Sequence, residues 1–234
     1  MRESSETRWQ DNRLLAALPE RERARLIPQL EILTLFAKEN IYEAGEEMNY
    51  VYFPLDCIVV LISSVESEGT VEVGLIGNEG LVGAQILMGA KQSTSQALIL
   101  TEGKALRLPA AIVRKEAKRS SRMRELMLTY ANGLLAQSAR LAACHRYHTP
   151  HARLARVLLM IDDRLQTAEM RITQDLLARL LGTRRATVTQ AANQLEDSQL
   201  TESRRGRIKI LDRAGLEKVA CSCYLIIASQ HNGD

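Results

Sequence analysis

The sequence predicts an α+β protein with three parts in a row: an antiparallel β domain, a long helix, and a helical domain that ends in a β-hairpin. Short β-rich runs between residues 31 and 108 are separated by turn-forming residues. A helical pattern then continues from Pro109 to His148. Two short helices joined by Gly182 follow, with a basic strand pair behind them. We place the domain boundaries at 1–118, 119–148 and 149–234.

Composition excludes several classes of protein. The chain has 234 residues, of which 46% are hydrophobic, enough to build cores and too many for a wholly disordered chain. The 31 basic and 28 acidic residues give a net charge of +3, which excludes a histone-like protein. One Trp, two Phe and six Tyr are too few rings for a platform that stacks unpaired bases.

The start of the chain and its cysteines predict a cytoplasmic protein with no membrane partner. The first residues are charged where a secretory signal needs an apolar core. The four cysteines are scattered, as is usual in a reducing compartment. No apolar run approaches the ~20 residues that span a bilayer.

The β domain begins after short helical segments between Asn12 and Leu30, which are interrupted by Pro19 and Pro28. Its spacing of strands and turns indicates an antiparallel sandwich or a small barrel. The predicted strands are Ile32–Phe36, Tyr50–Phe53, Ile58–Ser63, Thr70–Ile76, Ala97–Thr101 and Ala105–Leu108.

The long helix carries a stripe of residues at alternating steps of four and three, the 3.5-residue period of a two-stranded coiled coil. This period predicts a homodimer that forms through the helix. The helix is predicted to end at Thr149-Pro150, because a residue before proline disfavours helical dihedral angles. Alternatively, the helix packs on its own domain, since Leu126, Leu135 and Ala139 widen the stripe. The predicted dimer interface is Met123, Met127, Tyr130, Leu134, Gln137 and Leu141, and the stripe continues to Cys144.

The third part carries a helix–turn–helix pattern. Thr173 is a good N-cap for the helix Gln174–Leu181, and Gly182 ends that helix before a second one begins at Arg184 or Arg185. Small Ala178 allows close packing of the two helices, and Val188 fills their shared core. The second helix presents polar side chains outward, suited to phosphates and base edges in the major groove.

A basic β-hairpin, or wing, follows the second helix. Between Arg179 and Lys209 there are seven basic and three acidic residues, a net charge of +4 against +3 for the whole chain, so the basic excess of the chain is concentrated in this segment. Local charge governs affinity for DNA, because each neutralised phosphate releases counterions. Helical hairpins and solvent-exposed, arginine-rich turns also occur in proteins that do not bind DNA. The predicted DNA-binding residues are Thr173, Gln174, Arg184, Arg185, Thr187, Thr189, Gln190, Arg204, Arg205 and Arg207.

With the segment Thr173–Val188, the wing and Val51-Tyr52-Phe53-Pro54, the chain resembles the Crp/Fnr family of bacterial transcription regulators over nearly its whole length. The resemblance implies a cyclic-nucleotide-binding-like β-roll, that is, a double-stranded β-helix or jelly roll, and a winged helix-turn-helix. It also implies dimerisation through the long helix, binding to palindromic promoter sites in double-stranded DNA, and RNA polymerase as a possible partner. Arg185 falls where the family has an arginine that reads guanine or phosphate.

The effector is not expected to be cyclic AMP. Members that bind it hold the ribose with Gly-Glu and the phosphate with an Arg-Ser or Arg-Thr pair, and this chain lacks that glutamate and that arginine. Lysine is a poorer cation than arginine for a buried phosphate. The effector is therefore an unidentified small molecule, if one exists. The candidate effector pocket is Val82, Gly83, Lys91, Gln92 and Ser93.

No cofactor, metal or enzymatic activity is expected. No cysteine precedes Cys57, unlike in iron–sulfur relatives. Cys221 and Cys223, in one predicted terminal helix, would point about 200° apart.

Two further sequence features also lack a chemical role in this interpretation. His145, His148 and His151 are interpreted as polar hinge residues. The glycine-rich segment Gly74–Gly83 lacks the Lys-Ser/Thr of a P-loop.

Taken together, these features predict a homodimeric transcription regulator. The alternative is a ligand-sensing or protein-interaction module whose DNA-binding domain is vestigial.

Overall fold

The computed structural model describes residues 8–66, 69–165, 167 and 169–231. The chain divides into two compact units. The first contains residues up to Leu61 together with Leu75–Leu135, and the second contains Ile62–Gly74 together with the residues from Ala136 onward.

Two short helices open the first unit, as the sequence predicts. They are α1 (Arg13–Ala16) and α2 (Glu20–Leu26). Asn12 caps α1, because its side-chain oxygen accepts a hydrogen bond from the Leu15 amide at 3.0 Å. The buried Asn12 amide also donates to the carbonyl oxygens of Pro54 and Gly80, which ties the helix to the β domain.

Two sheets form the β domain, which confirms the predicted α+β class. The sequence missed one short strand, β2. The first sheet has the order β1-β7-β3 and the second β2-β6-β4-β5. The strands are β1 (Glu31–Leu35), β2 (Asn40–Tyr42), β3 (Tyr50–Pro54), β4 (Ile58–Val65), β5 (Gly69–Ile76), β6 (Gln96–Thr101) and β7 (Gly103–Pro109).

Helices α3 (Ala110–Arg119) and α4 (Ser121–Tyr147) follow the sheets. The structure corrects the interface predicted on α4, because these side chains lie inside their own chain. Met123, Met127, Gln137 and Leu141 are fully buried and Leu134 is nearly so. Tyr130 is half-buried and donates its hydroxyl to the Leu81 carbonyl at 3.1 Å. The chain itself therefore covers this stripe.

The second unit is built around α5, whose residues Arg153–Ile161 are all buried. Thr149 is its N-cap and Pro150 its first residue, so α4 ends where the sequence predicts. The unit also contains a sheet with the order β8-β10-β9. Its elements are α5 (Pro150–Asp162), β8 (Met170–Arg171), α6 (Gln174–Leu181), α7 (Arg185–Asp197), β9 (Thr201–Arg204), β10 (Arg207–Ile210), α8 (Arg213–Val219) and α9 (Cys223–His231).

The predicted single terminal helix is wrong, because it is broken between α8 and α9. Ala220 has extended dihedral angles, φ −62° and ψ 147°, and the chain turns before Cys223. Among the described residues, no helix is both long enough and apolar enough to cross a membrane.

Candidate nucleic-acid interface

The turn between α6 and α7 has the geometry that its sequence predicts. The Thr173 hydroxyl accepts a hydrogen bond from the Leu176 amide at 3.2 Å and so caps α6. Gly182 ends α6 in the left-handed region, with φ +55°. Val188 is fully buried between the helices, and Ala178 is nearly so. The cap, the glycine turn and these two buried side chains therefore form the junction between the two helices.

Helix α7 exposes the polar face that the sequence assigns to DNA. Arg184, Arg185 and Gln190 are exposed, while Thr187 and Thr189 are half-buried. The Thr189 hydroxyl donates to Gln174 Oε1 at 2.7 Å, which links the two helices through polar side chains.

The wing turns tightly between β9 and β10. Arg205 and Gly206 both have positive φ, +49° and +76°, as a two-residue type I′ hairpin turn requires. Arg204 faces Arg207 across the hairpin. The Arg204 side chain is 85% exposed, so the wing presents its guanidinium groups to solvent.

A cavity of about 340 Å³ lies between the wing and the helix–turn–helix and is lined by residues of both. Six of the ten predicted DNA-binding residues line it, and two others, Arg184 and Thr187, line a neighbouring cavity, whereas Thr189 and Gln190 line neither. The six are Thr173, Gln174, Arg185, Arg204, Arg205 and Arg207.

Exposed ion pairs modulate the positive charge of this surface. Arg185 lies 3.5 Å from Asp175 and Arg207 lies 3.2 Å from Glu169. Within the described part of the chain, no carboxylate lies within ion-pair distance of Arg184 or Arg205. Exposed pairs contribute little energy, so phosphates can displace these carboxylates.

The residues predicted to form the effector pocket do not line the cavity of the β domain, but two of them form backbone hydrogen bonds with residues that do. A cavity of about 400 Å³ is lined by Glu46, Glu47 and three tyrosines, and none of Val82, Gly83, Lys91, Gln92 and Ser93 lines it. The Val82 amide donates to the Tyr52 carbonyl, and the Ser93 amide to the Glu46 carbonyl, so these predicted residues flank the cavity.

The chemistry of this cavity disfavours a cyclic phosphate. Two carboxylates line it, and its described lining includes no lysine or arginine. Burial raises the pKa of Tyr42 and of Tyr52, so both phenols stay protonated and can donate hydrogen bonds. The lining therefore suits an uncharged or cationic polar molecule better than an anion.

The second unit also contains a cluster of cysteine and histidine side chains that the sequence did not predict. The side chains of Cys144, His148, Cys221 and Cys223 place their donor atoms within 4.8 Å of one another. The expectation that Cys221 and Cys223 point apart assumed one continuous helix. The break after α8 removes that restriction.

Comparison with protein families identifies the C-terminal part. Residues 152–219 match the family described as the Crp-like helix-turn-helix domain. The chain carries a Crp-like helix-turn-helix domain. This Crp-like domain contains every predicted DNA-binding residue, from Thr173 to Arg207. No curated protein matches the chain.

Comparison with solved structures extends the likeness to the whole fold. FixK2 from Bradyrhizobium japonicum superposes with a TM-score of 0.71 at 18% identity, covering 82% of this chain and 98% of FixK2. The c-di-GMP-responsive regulator CLP of Xanthomonas campestris gives 0.67 at 14% identity, covering 83% and 100%. A CRP-family transcriptional regulator from Thermus thermophilus gives 0.67 at 19% identity, covering 80% and 96%. The chain therefore has the fold of Crp/Fnr-type transcription regulators, as its sequence predicts.

Proposed function

We propose that the chain is a homodimeric transcription regulator that binds double-stranded DNA at specific, palindromic sites. The observation that carries this proposal is the cavity where Arg185 of α7 meets Arg204, Arg205 and Arg207 of the wing, inside the Crp-like domain. A helix that reads the major groove beside a wing that contacts phosphates is the arrangement expected of such a domain.

The residues divide into two roles in this proposal. The exposed face of α7 contacts base edges and nearby phosphates, and the start of α6 and the wing contact the DNA backbone. Guanidinium groups can bind guanine or phosphate with two parallel hydrogen bonds. The first group is Arg184, Arg185, Thr187, Thr189 and Gln190, and the second is Thr173, Gln174, Arg204, Arg205 and Arg207.

The dimer forms through a different face of α4 from the buried stripe. Leu128 and Leu135 are among the exposed large hydrophobic residues, at 39% and 63%. With exposed Asn132, Ala139 and Ala142 they again follow steps of four and three. Asn132 takes the polar position that fixes register in a two-stranded coil. We name Leu128, Asn132, Leu135, Ala139 and Ala142 the exposed seam.

The same proposal includes a small-molecule effector that binds the β domain. It assigns no catalytic activity to the protein. The acidic lining of the cavity there is the reason to expect an effector other than cyclic AMP. Contact with RNA polymerase at the promoter stays a prediction.

Measurements of DNA affinity against salt test the proposal. The full chain would be used to select a cognate site from random duplexes, and Arg185→Ala should weaken binding to that site much more than to random duplex. Arg205→Ala should weaken both equally and make the slope of log affinity against log salt less steep by about 0.9 per chain. Arg122→Ala, which removes an exposed arginine from the start of α4, is the matched control and should change neither.

Two results would contradict the proposal. A flat salt dependence would show that the basic surface makes no phosphate contacts and would favour a sensing or protein-interaction module. Equal losses on both duplexes for Arg185→Ala would reduce that residue to a backbone contact.

A further inference from the structure

Four potential metal ligands converge where the end of α4 meets the C-terminal segment of the chain. Cys144 lies in the last turn of α4, His148 directly follows it, and Cys221 and Cys223 flank the start of α9. The Cys144 and Cys221 sulfur atoms are 3.5 Å apart, and Cys223 Sγ lies 3.6 Å from His148 Nδ1. All three cysteines are buried and have free thiols.

These distances match the edges of a tetrahedral coordination site. With metal–sulfur bonds of about 2.3 Å, the ligand atoms of a tetrahedral zinc site lie roughly 3.8 Å apart. The Cys144–Cys221 and Cys223–His148 distances are slightly shorter, and all four donors lie within 4.8 Å of one another. Three thiolates and one imidazole are an established ligand set of structural zinc sites. We propose that Cys144, His148, Cys221 and Cys223 bind one zinc ion.

The backbone holds the two pairs of ligands in place. Cys144 and His148 are four residues apart, and the His148 amide donates to the Cys144 carbonyl at 3.1 Å, so both side chains lie on one helical face. Cys221 lies outside any helix, and its amide donates to the Ala152 carbonyl at 3.3 Å. Because the chain is broken there, Cys221 and Cys223 can face the same point although they are only two residues apart.

The buried charges around the cluster favour an anionic centre. Arg156 is fully buried and pairs with buried Glu72 at 3.2 Å. Arg153 is also buried and donates to the carbonyl oxygens of His145 and Leu181. Two arginines and one glutamate leave one positive charge, and zinc with three thiolates and a neutral imidazole carries one negative charge. The complete site would therefore be neutral overall, which lowers the cost of burying it.

Zinc at this position would join α4 to the last helix across 77 residues of sequence. Binding releases protons from the thiols and requires a neutral imidazole, so no oxidant or other reactant takes part. The four ligands are separate from the ten proposed DNA-binding residues, so zinc binding does not depend on DNA binding.

Metal analysis of the full chain, purified under reducing conditions, tests the inference. We expect one zinc per chain by mass spectrometry. Cobalt should replace zinc and give the absorption spectrum of a tetrahedral thiolate site, and X-ray absorption should find three sulfur ligands and one nitrogen ligand. Cys221→Ser and Cys223→Ser should each weaken zinc binding by more than the roughly 10–100-fold that follows loss of an outer-shell partner.

Cys57→Ser is the matched control, because Cys57 is equally buried but belongs to the first unit. It should keep one zinc per chain. The cobalt spectrum of the unaltered chain gives an answer even if the serine variants fail to fold. A reduced chain that binds neither zinc nor cobalt would overturn the inference. So would serine variants that bind zinc normally, or a Cys144–Cys221 disulfide in place of the metal.

Discussion

The exposed seam on α4 can be tested by placing charges on it. In a two-stranded coil, Leu128 and Leu135 would meet their counterparts on the partner chain. Their exposed fractions of 39% and 63% together equal about one fully exposed leucine per chain. Burying a leucine contributes about 1.5–3 kcal/mol, so a dimer that buries both faces gains about 3–6 kcal/mol from them.

Replacing both leucines with glutamate should remove this contribution. The dimer dissociation constant should rise by a factor of about 10²–10⁴, since each 1.4 kcal/mol corresponds to a factor of ten. Repulsion between the new carboxylates would add to the loss. Sedimentation equilibrium over a range of loading concentrations measures the dissociation constant directly.

Two further variants make the result specific. Leu225→Glu changes a leucine of α9 that is 66% exposed, and it should leave the dimer intact. Met127→Glu places a charge at a fully buried position, so the chain should unfold rather than dissociate. Dimers that survive the double substitution at Leu128 and Leu135 would refute the exposed seam. A folded monomer from Met127→Glu would restore the stripe that the sequence predicted.

Three other predictions concern stability and reactivity. Glu72→Gln leaves the buried charge of Arg156 unpaired and should cost about 3–5 kcal/mol in unfolding free energy, which calorimetry would detect as a lower melting temperature. Replacing Glu72 and Arg156 together with methionine should recover most of that loss, and an unstable double variant would contradict this account. Gly182→Ala should cost about 1–2 kcal/mol in urea unfolding because its φ is +55°. Gly133→Ala, inside α4, should instead stabilise the chain by about 0.5–1 kcal/mol, because alanine favours the helix and the new carbon meets only the backbone of its own helix within 4 Å. Burial raises the pKa of Cys57 to about 12, so iodoacetamide should label this thiol slowly in the folded protein even at about pH 9. Between about pH 9 and about pH 12 the Cys57 thiol ionises only in unfolded chains, so the free energy of unfolding should fall as the pH rises through this range. Rapid labelling of the folded protein would show that the thiol is accessible.

Features encoded in a few neighbouring residues could be predicted from the sequence. The cap at Thr173, the turn at Gly182 and the stop at Pro150 each depend on the local dihedral preferences of one or two residues. The strands were predicted for the same reason, except for the three residues of β2, which pair with β6 through an irregular register.

Features that depend on distant residues could not be predicted in this way. A 3.5-residue period shows that one side of α4 is apolar, but it does not show whether the same chain or a partner covers that side. Met127 and Leu128 differ by one residue, yet that step turns the side chain by about 100° around the helix. The cysteine cluster was missed because neither proline nor glycine lies in the break between Val219 and Cys223.

The membership of Ile62–Gly74 in the second unit limits how the protein can be divided. Glu72 comes from the β domain in sequence, but its carboxylate neutralises a charge at the centre of α5. A fragment beginning at residue 149 would lack Ile62–Gly74 and would leave the buried Arg156 without its counter-ion. The helix-turn-helix part is therefore not expected to fold as a stable fragment without Ile62–Gly74. Recombination that exchanged the β domain for another would also have to supply an acid at the position of Glu72.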